Sequence, residues 1–158
     1  MNWRGSLLWG FVGTVLLTGL MSATQGLGLT RMSLPFMLGT MVTPNRDRAK
    51  LVGIGVHLLN GWLLALIYAA AFQSWRRAAW WLGACVGLVH GLFVLLVVMS
   101  VLPGLHPRMA SEQRGPDPTR QLEPPGFLAL HYGRRTPVAL LAAHVIYGGI
   151  LGAFYRLS

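Results

Sequence analysis

Charged residues are scarce in this chain, and acidic residues are the scarcest. Only 11% of the 158 residues are charged, and four of them are Asp or Glu, whereas a typical water-soluble domain carries roughly 25% charged residues. Four windows contain no charge at all: residues 5–30, 51–75, 78–107 and 136–155. Each reaches the ~20 mostly apolar residues that cross a bilayer. Because the windows also lack the polar stripe of a soluble helix, the sequence excludes an ordinary globular domain and predicts a membrane protein.

Cysteine is almost absent, and so are the motifs of common catalytic sites. Cys85 is the only cysteine, so no intramolecular disulfide can form, and its place in an apolar window indicates a small buried residue. The chain contains no His-x-x-x-His or Cys-x-x-Cys metal motif, no Walker loop, no dinucleotide fingerprint and no nucleophile motif. The sequence therefore gives no support for an enzymatic activity.

The net charge of +9 comes from thirteen cations, of which twelve are arginine. Many of them flank the apolar windows, where arginine side chains anchor helices at lipid headgroups. This placement indicates the lipid bilayer, and not a nucleic acid, as the partner of the basic residues. The excess of cations in the two long loops predicts that these loops face the cytoplasm, although Arg4 favours the opposite orientation.

The predicted fold class is all-α, with one domain over residues 1–158 that forms a bundle of four transmembrane helices. Thr43 is predicted to cap the second helix and Pro103 to end the third. The turn 73–77 is short, which predicts that the second and third helices are antiparallel neighbours. The predicted spans are 6–29, 44–73, 78–102 and 137–156.

Each of the two long loops contains a short apolar segment. One covers residues 36–42, and the other covers residues 126–133 within the long loop 103–136. Both are too short to span a bilayer. They are predicted to lie at the membrane interface, and a re-entrant turn is the alternative for residues 36–42.

Two helices share a sequence skeleton of His, then Gly, Leu and Tyr at intervals of four, three and four residues. The copies are HLLNGWLLALIY, beginning at His57, and HVIYGGILGAFY, beginning at His144. At 3.6 residues per turn these positions fall on one face of a helix. The repetition predicts two duplicated helical hairpins, and chance agreement among Gly- and Leu-rich helices is the alternative.

Glycines at intervals of four residues mark the faces on which helices pack closely, because small side chains let backbones approach. The third window carries three of them and the fourth carries two. The predicted packing residues are Gly83, Gly87, Gly91, Gly148 and Gly152.

Three histidines, His57, His90 and His144, lie inside the apolar windows. Ionisable residues at membrane depth usually face the interior of a bundle. They are candidate ligands for a small molecule or a metal, and His57 and His144 are predicted to lie level, with His90 deeper. The favoured role of these histidines is a structural hydrogen bond. The alternatives are that they bind haem b or a metal ion, or that they form a proton path, so the sequence does not identify a cofactor. Further interior polar candidates are Asn60, Tyr68, Tyr147 and Tyr155.

A polar cluster just beyond the third helix contains His106, Arg108 and Glu112, and Arg134 and Arg135 precede the fourth helix. Arginine binds phosphate and carboxylate groups through two parallel hydrogen bonds. His106, Arg108, Arg134 and Arg135 are therefore predicted to contact lipid headgroups or another anion, and a solvated loop is the alternative.

Five runs are spread along the chain between residues 34 and 155: LPFMLGTMVTPNRDRAK, HLLNGWLLALIYA, GLVHGLF, LEPPGFLAL and AHVIYGGILGAFY. In these runs the sequence resembles a group of bacterial four-helix integral membrane proteins that have no assigned activity. The resemblance implies a multipass protein of the bacterial cytoplasmic (inner) membrane and no particular reaction.

The leading interpretation is a multipass membrane protein whose histidine-containing interior is a structural or small-ligand site. The rival interpretations are an oligomeric transporter or channel module, a haem- or metal-binding membrane protein, and an accessory subunit that packs on a larger membrane complex. A polar track from one loop side to the other would favour transport. An exposed glycine ridge would favour association with a second copy or another membrane protein.

Overall fold

A computed structural model describes residues 1–111 and 113–157 of the chain, so Glu112 and Ser158 lie outside the described residues. Four of its helical segments are long and apolar enough to cross a membrane: Trp3–Gly26, Arg46–Ser74, Trp80–Leu105 and Thr136–Phe154. The predicted all-α four-helix bundle is thereby confirmed. The helices are α1 (Trp3–Gly26), α2 (Leu34–Val42), α3 (Arg46–Ser74), α4 (Trp80–Phe93), α5 (Met99–Leu105) and α6 (Thr136–Phe154), with a π-helical turn at Val94–Val98 between α4 and α5.

Two helix ends differ from the prediction. Thr43 ends α2, and the side chain of Asn45 caps α3 instead, accepting hydrogen bonds from the backbone N–H groups of Asp47 and Arg48 at 3.0 and 3.1 Å. The third span also continues past Pro103 to the end of α5. Pro103 removes one hydrogen bond there, the one that an N–H at this position would donate to the carbonyl of Met99, and the helix ends two residues later.

The helices pack side by side in the order α3, α1, α6, α4. The backbones of α4 and α6 are in direct contact, because a Cβ added at Gly83 would collide with the carbonyl of Gly148, and one added at Gly87 with the carbonyl of His144. Four of the predicted packing glycines therefore lie where the two backbones touch, and the fifth, Gly91, lies against the side chains of Leu141 and His144. This ridge is inside the bundle and not on its outer face.

Helices α3 and α4 do not pack closely on each other in the described part of the chain, although only a short turn joins them. The prediction that they pack as neighbours is therefore wrong, although the two helices run antiparallel as predicted. The reason is the glycine ridge, which draws α4 onto α6, while α3 packs on α1 and α2. Between α3 and α4 the bundle stays open.

The two hairpins, α1–α3 and α4–α6, repeat the same contacts. In the first hairpin the paired positions are Gly10–Ala65, Thr14–Gly61 and Thr18–His57. In the second they are Gly83–Gly152, Gly87–Gly148 and Gly91–His144. This common register agrees with a duplicated hairpin. If the two hairpins were related by exact two-fold symmetry, α3 would pack on α4 as α1 packs on α6. The bundle has the α1–α6 contact but lacks a close α3–α4 contact in the described residues.

The two long loops pack on each other at one end of the bundle. The Thr30 and Thr136 hydroxyls are 2.6 Å apart, and the backbone N–H of Arg31 donates to the carbonyl of Tyr132 at 2.7 Å. Helix α2 stands antiparallel beside the first turns of α3, since a Cβ at Gly53 would collide with the carbonyl of Pro35. The second apolar segment forms a kinked 3-10 stretch, Phe127–Tyr132.

Candidate functional site

The open side of the bundle contains a cavity of about 410 Å³, which we call the groove. All three predicted membrane histidines line it. The rest of its wall is mainly apolar, which is typical of sites for small organic molecules. The residues with polar side chains in the wall are Thr14, His57, Asn60, His90, His144 and Tyr147.

His57 is held in one tautomer by α1. The single hydroxyl hydrogen of Thr18 is donated to the carbonyl of Thr14 at 2.7 Å. The contact of 2.8 Å between Thr18 Oγ1 and His57 Nδ1 is therefore an N–H···O bond donated by His57. Since one imidazole nitrogen of a neutral ring carries the proton, Nε2 of His57 keeps a bare lone pair.

His144 is held in the same tautomer by its own helix. Its Nδ1 lies 2.8 Å from the carbonyl oxygen of Leu140, which can only accept a hydrogen bond. Nε2 of His144 is then unprotonated, as in His57. No hydrogen bond in the described residues uses either Nε2 atom, and no fully buried polar side-chain atom among them lacks a partner. The two lone pairs are therefore accessible from the groove.

His90 joins the same cluster, and it is not set apart at a greater depth as the sequence predicted. Its ring packs edge-to-face on His144, with ring centres 4.6 Å apart and planes at 85°. Its Nδ1 lies 3.1 Å from the hydroxyl of Tyr68, and this contact joins α3 to α4. The closest ring contact in the cluster thus joins His90 and His144.

The groove opens toward the region that lipid would occupy. Leu63, which lines it, is 55% exposed, and Asn60 is also exposed. The prediction that Asn60 bonds inside the bundle is wrong, since its amide makes no hydrogen bond in the described part of the chain. On the opposite wall, Val94 and Val98 belong to the π-helical turn. Such turns widen a helix locally and are frequent at functional sites.

Apolar side chains close both ends of the groove. The end near the long loops is sealed by a layer of Leu17, Met21, Met32, Met37, Met99 and Leu102. At the other end, Phe72 is fully buried between the rings of Tyr68 and Tyr155, at 6.3 and 6.0 Å between ring centres. In the described residues, the histidines are therefore not part of a continuous polar track across the bundle.

The predicted interior tyrosines are buried, and each makes a distinct contact. The Tyr147 hydroxyl donates to the carbonyl of Gly61 at 2.7 Å, which ties α6 to α3 beside the groove. The Tyr155 hydroxyl accepts from the backbone N–H of Asn2 at 3.1 Å and contacts the Gln73 amide at 3.2 Å. Tyr155 thus fastens the chain termini far from the histidines. Cys85, predicted to be buried, is exposed on α4.

His106 has a structural role, in contrast to the prediction that it contacts an anion. It is 3% exposed, its Nε2–H donates to the carbonyl of Met37 at 2.9 Å, and its Nδ1 accepts from the backbone N–H of Arg108 at 3.1 Å. Both ring nitrogens are therefore used, and the ring pins the long loop to α2. Arg134 and Arg135 are exposed at the start of α6, where headgroup contact stays a prediction.

The His106 contact predicts a pH-dependent stability. Burial and the charge of Arg108 hold the pKa of His106 below its ordinary value of 6.5, while the bond to the Met37 carbonyl opposes them. Below about pH 6.5 the histidine of the unfolded chain binds a proton more readily than His106 of the folded chain. The contribution of the neutral His106 ring to the free energy of unfolding is therefore lost as the pH falls. We expect the unfolding free energy of the wild type to fall more steeply from about pH 7 to about pH 5 than that of His106→Gln. Parallel curves from thermal unfolding in detergent would contradict this.

The described residues contain no group of three or more His, Cys, Asp and Glu side chains placed to hold a metal ion. The three histidines meet at one cavity without forming a metal centre. Sequence reasoning missed Thr18 and the π-helical turn as parts of the site. Thr14 and Thr18 are four residues apart, and small residues at that interval are also typical of close helix packing, so their spacing alone does not indicate a site. Comparison with known protein families, with curated proteins and with solved structures finds no match.

Proposed function

We propose that this is a multipass protein of the bacterial cytoplasmic membrane that binds a small, membrane-soluble molecule in the groove. The observation that carries the proposal is that the Nδ1 atoms of His57 and His144 lie 2.8 Å from Thr18 Oγ1 and from the Leu140 carbonyl, while their Nε2 atoms have no partner in the described residues and line a cavity open toward the lipid. Bare imidazole nitrogens accept hydrogen bonds. The ligand is therefore an amphipathic molecule with a hydrogen-bond donor, such as a hydroxyl or a phenol, and an apolar body that lies on the methionines and leucines.

This proposal is preferred to transport and to an accessory role because of two features of the bundle. The apolar layers at both ends of the groove interrupt any polar path between the two loop sides. The glycine ridge of α4 is occupied by α6, so it offers no surface to a second copy or to another membrane protein. A lateral site filled from the bilayer is compatible with both features.

Haem b is the alternative ligand, and one feature favours it. Histidines that bind a metal commonly donate their second ring N–H to a backbone carbonyl or another acceptor, as His57 and His144 do. A visible absorption spectrum of the detergent-purified protein separates the two ligands. A Soret band would identify haem, and its absence after expression in cells supplied with haem would exclude it.

The proposal predicts that a small molecule co-purifies with the wild type and depends on both histidines. The measurement is mass spectrometry of small molecules extracted from the purified protein, compared with a His57→Leu/His144→Leu variant. We expect about tenfold less of one species in the variant, because its two lost hydrogen bonds, at about 0.5–1.5 kcal/mol each, together cost about 1–3 kcal/mol.

The matched control is His131→Leu, since His131 bonds the carbonyl of Pro124 in the long loop and does not line the groove. It should retain the species at the wild-type level. Equal small-molecule profiles in all three proteins, with each protein folded by its melting curve, would contradict the proposal.

A further inference from the structure

A second cavity, separate from the groove, lies where α2, the start of α3 and the long loop meet. Its volume is about 460 Å³, and we call it the arginine pocket. It is on the other face of α2, since Phe36 and Thr40 line it, whereas Met37 and Leu38 line the groove. Its polar wall consists of Thr40, Arg46, Arg108, Thr119 and Gln121.

Both guanidinium groups of the pocket are positioned by contacts that leave most of their hydrogen-bond donors free. Arg46 lies over the ring of Phe36 at 5.1 Å, and its Nη1 donates to Gln121 Oε1 at 3.2 Å. Arg108 donates from Nη1 to the carbonyl of Thr40. A guanidinium group has five N–H donors, and each of these two uses one of them within the protein.

The positive charge of the pocket is not balanced by a carboxylate in the described residues. The ion pairs found there join Arg31 to Glu123 and Arg120 to Asp117. Asp117 stands beside the wall of the pocket, but it accepts hydrogen bonds from the hydroxyl and the backbone N–H of Thr119, both at 2.7 Å. A group that enters the pocket therefore meets two cations whose remaining donors are unpaired.

We propose that Arg46 and Arg108 bind a phosphate group. Planar guanidinium groups match phosphate oxygens through paired hydrogen bonds, which are about twice as strong as those between neutral groups. The pocket lies at the long-loop end of α3, where charged side chains meet lipid headgroups. The phosphate is supplied by the headgroup of an anionic lipid or by a water-soluble phosphate compound, and the experiment distinguishes the two.

The test is the melting temperature of the protein purified in a neutral detergent, titrated in separate arms with phosphatidylglycerol, phosphatidylcholine and inorganic phosphate. We expect stabilisation by phosphatidylglycerol or by inorganic phosphate, and an apparent affinity about tenfold weaker in Arg46→Gln. A shift with phosphatidylglycerol alone assigns the phosphate to a lipid. A shift with inorganic phosphate assigns it to a soluble compound.

Arg114→Gln is the matched control, because it also removes one positive charge, from the long loop that forms part of the pocket, and its side chain is absent from the pocket wall. Arg108→Gln is a second test, but it also removes the bond to Thr40, so Arg46→Gln keeps the proposal falsifiable if that variant does not fold. The proposal is overturned if neither phosphatidylglycerol nor inorganic phosphate stabilises the wild type. It is equally overturned if Arg46→Gln and Arg114→Gln weaken the effect to the same extent.

Discussion

Gly87→Ala is expected to lower the free energy of unfolding by about 3 kcal/mol, which is the upper range for overpacking a tight contact. The added methyl group would meet the carbonyl of His144, a backbone atom that cannot move aside without shifting α6. Because that carbonyl belongs to a groove histidine, the shift would also disturb the site. Thermal unfolding in detergent measures the effect.

The matched control is Gly55→Ala on α3, where a Cβ would meet no atom within 4 Å. Alanine favours a helix over glycine by about 1 kcal/mol, so this variant should be as stable as the wild type or more stable. Leu96→Ala, at a residue 48% exposed on the outer face, should also have a small effect. Equal melting of Gly87→Ala and Gly55→Ala would mean that α4 and α6 do not touch through their backbones.

The second large effect is expected in double-mutant cycles among the histidines. His90 and His144 are in ring contact, so His90→Ala and His144→Ala should be non-additive in stability by about 0.5–3 kcal/mol. His57 and His144 share the groove without such a ring contact. Their cycle should be additive within about 0.5 kcal/mol in protein stripped of small molecules, and should become coupled when the co-purifying molecule is present.

The control cycle pairs His144 with His131, which lies in the long loop and should be additive in both conditions. Additivity of His57 and His144 in the presence of the molecule would mean that each histidine makes an independent structural hydrogen bond. The shared-site account would then be withdrawn, whereas the fold would be unaffected.

The sequence predicted the four long apolar helices because few charged residues are tolerated in a segment that crosses lipid. A window without charges and about 20 residues long has few alternatives to a membrane helix, and the spans lie within a few residues of the predicted ones. Their ends were harder to predict. Asn45 caps α3 where Thr43 was expected, since a local hydrogen bond of one side chain decided between two good capping residues.

Helix neighbours could not be predicted from loop length. The short turn after α3 indicated that α3 and α4 pack together, but backbone contact between glycines is a tertiary property, and it placed α4 on α6. For the same reason, Asn60 could be assigned to a helix but not to the open side of the groove. Periodicity gives the face on which a residue lies, and the other helices decide what that face meets.

The candidate site was predictable in its residues and not in its chemistry. Histidines at membrane depth are rare enough to be noticed in a sequence. Their tautomers depend on partners in the tertiary structure, such as Thr18 for His57, and on the acceptor that the α6 backbone provides for His144. The exposed lone pairs, on which the proposed ligand chemistry rests, follow only from those partners.

The most direct test of the central claim is a ¹⁵N NMR spectrum of histidine-labelled protein in bicelles, because it reports the protonation of each ring nitrogen. The account predicts that Nδ1 of His57 and His144 is protonated and Nε2 is not. It also predicts that a lipid-soluble paramagnetic agent broadens the Nε2 signals, whereas a water-soluble agent does not. Protonated Nε2 atoms, or signals broadened only by the water-soluble agent, would contradict a groove that presents two bare imidazole nitrogens to the bilayer.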